Sequence, residues 1–166
     1  LPPRAVHPPW ACAPSSRSPQ PPMHRRLASV AALAALPAVA AAQNGAQLYQ
    51  RCATCHQANG AGIPGAFPPL AGSEWVTGKP DAAIRIVLHG MQGPVTVKGQ
   101  KYDAMMMPYG TGQAMTDAEV AAVLTYVRTN FGNKASPVTA AQVAAARAAT
   151  KTRTKPFTAA EIASLK

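Results

Sequence analysis

Apolar positions beyond residue 44 fall into short helical stripes separated by long stretches with no periodicity. In 81-DAAIRIVLH-89, Ile84, Val87 and Leu88 stand at i, i+3 and i+4; Pro80-Asp81 opens the run and Gly90 stops it. Thr116-Asp117-Ala118-Glu119 is a capping box. Behind it Val120, Val123, Leu124, Val127 and Phe131 form a stripe that predicts a helix over 117–131, ended by Gly132. Asn44 can cap a first helix running to about Cys55, with Ala46, Leu48, Tyr49 and Ala53 on its inner face. Two more capping boxes, Thr139/Gln142 and Thr158/Glu161, flank the basic linker KTRTK and predict a helical extension over 136–166. The Gly- and Pro-rich stretch 57–73 and most of 91–115 read as loops, and strand signal is slight. The fold class is therefore all-α. The stripes are thin for the length, so a large apolar group that is not a side chain is expected at the centre. Such a group would also explain ordered loops of this length.

Composition changes the picture mainly at the front. Residues 1–22 hold eight of the 17 prolines and no apolar periodicity. They are expected to be upstream sequence ahead of a true start at Met23, or a disordered Pro-rich segment. The stretch 23-MHRRLASVAALAALPAVAAAQ-43 has the anatomy of a signal peptide: a basic start, an apolar middle and an A-x-A exit at Ala40 and Ala42. The apolar run is too short and Ala-rich for a good membrane span. Cleavage after Ala42 would leave 124 residues, Gln43–Lys166, organised as one domain over 43–135 with the extension 136–166. Twelve Lys and Arg then face six Asp and Glu, a net charge of +6. No aromatic–basic interleaving or binding motif accompanies that charge, which argues against a nucleic-acid partner.

Cys52 and Cys55 are the two cysteines left after export, in 52-CATCH-56. A zinc site would need two more ligands, and His56 and His89 form no second ligand pair. A thioredoxin-type pair would follow a strand in a βαβ pattern, whereas this motif closes a helix. C-x-x-C-H is the attachment signature of c-type haem. Two thiols add to the two vinyl groups, the next residue puts its imidazole on the iron, and an oxidising compartment finds no free thiol to oxidise. A sixth ligand must come from a later loop. Met105, Met106 and Met107 stand together in YDAMMMPYG without helical spacing, so core packing explains them poorly. His89 is the rival, although its place at the end of an apolar helix suits a structural histidine better.

These segments resemble the monohaem class I cytochrome c family, and especially its bacterial periplasmic branch. The resemblance runs from about Asn44 to Val143 and is carried by CATCHQANGAGIPGAFPPLAGSEWV, IRIVLHGMQGPVTVKGQKY, MMPYG and MTDAEVAAVLTYVRTNFGN. It implies the cytochrome c fold, three main helices and long loops around one covalently bound haem. It implies thioether bonds from Cys52 and Cys55, with His56 as proximal ligand. Its Met-Pro element maps to Met107, followed by Pro108, with Met106 the alternative. A loop Pro whose carbonyl accepts the proximal His N–H maps to Pro68, with Leu70 as the matching Leu; a simple rigid turn is the other reading of Pro68. Two departures stand out. Tyr49 lies three residues before Cys52 rather than the family's four, which puts the contact of Tyr49 or Leu48 with Tyr126 in question. The chain also continues past the family's usual end, either as a helical wrap on the core, the favoured reading, or as a docking arm.

The expected function is single-electron transport in the periplasm, not catalysis. Two filled axial positions leave no open iron site, and thioether sulfur raises the potential. Ile63, Phe67, Pro68, Pro69 and Leu70 are expected to shield the ring. Partners are expected to be a dehydrogenase, reductase or oxidase with an acidic docking face, reached by a monomer or by a subunit of a complex. The alternative is a dedicated cytochrome subunit of a quinoprotein dehydrogenase or reductase. More remote is a gas-binding or peroxidase haem protein.

Overall fold

The computed structural model describes Leu1 and residues 45–109 and 115–164. The expected leader, its cleavage site and the Asn44 cap lie outside the described residues, as does Gly110 of MMPYG. Six helices are described: α1 (Gln50–His56), α2 (Glu74–Thr77), α3 (Pro80–His89), α4 (Asp117–Thr129), α5 (Ala140–Ala149) and α6 (Ala159–Ala163). A helical turn over 45–48 precedes α1.

Local chemistry sets most of these boundaries. Pro80 sits in the first turn of α3, where its missing N–H costs nothing, and Asp81 and His89 suit the two ends of the helix dipole. α4, α5 and α6 each start in a complete capping box, at Thr116/Glu119, Thr139/Gln142 and Thr158/Glu161. α4 is shorter than its apolar stripe predicts. It stops at Asn130, and Phe131 takes a positive φ of 58°. The reason is tertiary: the Phe131 ring closes an aromatic trio with Tyr49 (5.0 Å between centroids) and Tyr126 (5.6 Å). Tyr49 and Tyr126 themselves lie 5.5 Å apart, so the unusual Tyr49 spacing does not prevent that contact.

The structure adds one short helix that the sequence reading did not assign and a hairpin within a stretch read as loop. Ser73 caps the short α2 by accepting from the Trp75 N–H. Within 91–115, β1 (Val95–Val97) pairs antiparallel with β2 (Gln100–Tyr102), Val95 opposite Tyr102 and Val97 opposite Gln100. Lys98 and Gly99 form the two-residue turn, both at positive φ, which matches the twist of a tight hairpin.

Buried side chains form two clusters. The larger gathers Leu48, Tyr49, Ile84, Val120, Leu124 and Val127 with Val138, Val143 and Ala146 of the C-terminal segment. The smaller joins Ile86, Met91, Val95, Val97 and Tyr102 to Phe157 and Ile162. The extension is thus folded onto the core, with Val143 and Ile162 fully buried.

Candidate haem site

α1 places Cys52, Cys55 and His56 at i, i+3 and i+4, on one helical face. Both cysteines are free and half-buried; His56 is buried. Burial pushes the Cys52 thiol up to about 11, with Cys55 adding to the rise and Arg51 opposing it.

Past α1 the chain doubles back on itself. Gly62 N–H bonds the His56 carbonyl at 3.0 Å, and Leu70 and Ala71 both bond the Gly60 carbonyl. Asn133, beyond the end of α4, ties the far end of this loop: its Nδ2 donates to the Leu70 carbonyl and its Oδ1 accepts from Gly72 N. The loop so fixed brings the Pro68 carbonyl to 2.9 Å from His56 Nδ1. A carbonyl only accepts, so Nδ1 carries the proton and Nε2 keeps its lone pair. Burial lowers the His56 pKa, against the opposing pull of the Pro68 bond. The ring is held neutral and oriented, the state a metal-binding imidazole needs.

The methionines enter from the strand-like segment after β2. Met106 pairs its backbone with Met91, and its side chain packs on the smaller cluster. Met105 and Met107, its neighbours, are 58% and 63% exposed. His89 stands elsewhere: its Nε2 lies 2.7 Å from Thr150 Oγ1 and its ring meets the edge of Phe157.

Cys52, Cys55, His56, Pro68 and the three methionines line one apolar cleft of about 1350 Å³, its open mouth included, and His89 does not. Members of both clusters face it, among them Val123, Leu124 and Val127 from α4 and Val95, Val97 and Tyr102 from the hairpin. Phe67, Pro68, Pro69 and Leu70 line it as expected, whereas Ile63 does not and is 38% exposed. Trp75 and Tyr109 also line it, and the sequence reading missed both. Trp75 Nε1 donates to the Thr96 carbonyl at 2.8 Å, and Tyr109 Oη donates to the Arg51 carbonyl at 3.1 Å. Neither the hairpin, whose strands are three residues each, nor Trp75 carries a periodic signal in the sequence. Among the described residues no three of His, Cys, Asp and Glu gather as a metal cage.

Two thiols, a neutral imidazole and several thioethers on a single apolar cleft fit a covalently attached macrocycle. A family model described as Cytochrome c matches residues 42–131. The chain belongs to the cytochrome c family. It is an electron-transfer protein whose cofactor is covalently bound haem c. The cytochrome is 45% identical over 94 residues to cytochrome c-552 of Thermus thermophilus, an alignment covering 54% of this chain and 70% of that protein. It is 37% identical over 102 residues to the cytochrome c subunit of the quinone-type alcohol dehydrogenase of Komagataeibacter europaeus, covering 60% of this chain but 21% of that subunit. The cytochrome subunit of fructose dehydrogenase from Gluconobacter japonicus is 33% identical over 115 residues, 65% of this chain and 23% of the relative. The chain therefore spans under a quarter of these dehydrogenase subunits.

Proposed function

We propose that the chain is an exported single-electron carrier whose one haem c is held by thioethers from Cys52 and Cys55, with His56 Nε2 and Met107 Sδ as axial ligands. It passes electrons between a dehydrogenase or respiratory complex and a terminal acceptor. Residues 23–42 act as the export leader, 43–135 as the haem domain and 136–166 as a folded extension. The observation that carries this reading is the His56–Pro68 bond, because it fixes the tautomer that leaves Nε2 free within the cleft. No helix among the described residues is long and apolar enough to cross a membrane.

The bound haem would supply a one-electron iron couple. The chain's own residues do the rest. Cys52 and Cys55 fix the ring to α1, and Pro68 orients the imidazole and raises its basicity. Leu70, Val123, Leu124 and Val127 exclude water and keep the dielectric low. Met107 is favoured over Met106 because Met106 is committed to Met91 and the smaller cluster. Arg51, exposed beside the cysteines and lining the cleft, and the expected net +6 would draw an acidic partner by salt-screened attraction. The dehydrogenase-subunit relatives favour a second reading, a cytochrome bound stably to such an enzyme.

The test is spectroscopic, on haem-loaded protein. Met107→Ala is expected to abolish the methionine–iron band of the ferric form and to let the ferrous form bind CO, while Met105→Ala and Met106→Ala keep the band. Loss of the band in either of the latter variants alone would move the ligand there. CO binding by the unaltered protein at neutral pH would replace the carrier reading with a gas-binding one. Co-purification with a dehydrogenase would favour the subunit reading.

A further inference from the structure

At Phe157 the C-terminal segment pairs with the stretch 90–92, which in turn pairs with the methionine loop. Phe157 N donates to the Gly90 carbonyl at 3.1 Å, and the Phe157 carbonyl accepts from Gln92 N at 2.8 Å. Between those two residues, Met91 turns its own backbone the other way: it donates to the Met106 carbonyl at 3.1 Å and accepts from Met106 N at 2.9 Å. Phe157, Met91 and Met106 are thus three rungs of one miniature sheet. Gly90 makes the approach possible. It sits at φ +76°, and a Cβ there would collide with the Met106 carbonyl oxygen.

Phe157 is itself fixed from outside. Its ring is buried, with the Arg153 guanidinium carbon 3.6 Å above the ring centroid and the His89 ring at its edge, 5.7 Å away between centroids. Arg153 is held by both Glu161 carboxylate oxygens at 2.9 Å and by the carbonyls of Lys155 and Pro156. Ile162 is fully buried in the same cluster as Phe157 and Met91.

The geometry points to Phe157 as a positioning residue that keeps the 105–107 loop seated at the cleft, so that the extension governs how long the distal methionine holds its place. This rests on the reading of Met107 as the distal ligand. Met107 directly follows the rung residue Met106, and the next anchors beyond it are the Tyr109 bonds to the Val87 and Arg51 carbonyls. A loop held on both sides has a small open population. An outside ligand binds only the open form, so its apparent affinity measures that population directly.

The experiment is an imidazole titration of the full-length, haem-loaded ferric protein, followed by its visible spectrum. Phe157→Ala is expected to raise imidazole affinity about tenfold, and Phe157→Leu to reverse most of the gain. Amide exchange at Met106 and Gln92 should quicken together in Phe157→Ala. Arg153→Gln, a milder variant that removes the contact above the ring, should give a smaller rise of about threefold and keeps the test available if Phe157→Ala does not fold. Unchanged imidazole affinity in Arg153→Gln and in any folded Phe157 variant, with only a lowered melting temperature, would overturn the proposal and leave the extension a simple stabiliser. Met107→Ala is the control for the ligand assignment. If it binds imidazole no more tightly than the unaltered protein, the assignment is wrong, whatever Phe157 does.

Discussion

At the scale of single residues, Arg128 joins more of the structure than any motif suggests. It is 1% exposed on α4. Its Nη1 donates to the Val76 and Gly78 carbonyls, its Nε to the Ser136 carbonyl at 2.7 Å and its Nη2 to Ser136 Oγ. One guanidinium therefore ties the end of α2, α4 and the start of the C-terminal extension. Burial lowers its pKa, yet a guanidinium stays protonated, so those neutral oxygens carry the solvation of a buried cation. Arg128→Leu removes the cation but leaves the buried Val76 carbonyl and the part-buried Gly78 and Ser136 carbonyls without their donor. A buried unsatisfied group costs about 1–3 kcal/mol and the part-buried carbonyls can turn to water, so a loss of about 1–3 kcal/mol is expected in urea unfolding of the haem-loaded protein. Arg128→Lys should recover little, because an ammonium cannot fork to acceptors on two sides. A loss below about 1 kcal/mol would show that water re-solvates the site.

At the scale of elements, sequence legibility tracked how local each cause is. Cys52, Cys55 and His56 lie within five residues, and the Thr116, Thr139 and Thr158 boxes are decided within four, so all were readable. The end of α4 was not, because a ring contact from Phe131 to Tyr49, far back in the chain, overrides the helical stripe. The 95–102 hairpin was passed over because its strands are three residues each, too short to raise a periodic signal. The side-by-side placement of Phe157, Met91 and Met106 has no sequence signature at all. The joint between α3 and the extension adds a pH dependence. His89 on α3 bonds Thr150 Oγ1, and the Thr150 hydroxyl donates to the Ala146 carbonyl. Partial burial lowers the His89 pKa, and Arg153 and Arg147 of the extension and Arg85 of α3 lower it further. The unfolded chain therefore takes up a proton before the folded one does. Stability from this site is complete above the ordinary histidine value of about 6.5 and is lost as pH falls through the lower folded value. Thermal unfolding of the haem-loaded protein should lose stability across that window more steeply than His89→Gln does. Parallel pH profiles for the two would show that the joint does not titrate.

At the scale of the whole molecule, the cleft divides the hydrophobic interior unevenly. Of the buried residues described, five of the eight in the smaller cluster line it: Ile86, Met91, Val95, Val97 and Tyr102. In the larger cluster the residues that bind α4 to α5 and to the segment before α1, such as Val120, Val143, Ala146 and Leu48, do not line it. Filling the cleft with the covalent haem thus completes the smaller cluster and only caps the larger one. A haem-free chain should therefore fail in parts. Without the ring, the hairpin and the methionine loop lose most of their apolar partners, while the α4–α5 contact keeps its own. The variant Cys52→Ser with Cys55→Ser, purified without haem, tests this by amide exchange and circular dichroism. Much of the far-ultraviolet helical signal should persist while near-ultraviolet aromatic signal and cooperative unfolding are lost. Exchange should stay slowest at Val120, Val143 and Ala146 and become fast at Met91, Val95, Val97 and Tyr102. Equal protection in the two groups would mean that the smaller cluster closes on itself without the haem. The cleft would then be a preformed socket rather than a space that the cofactor folds around itself.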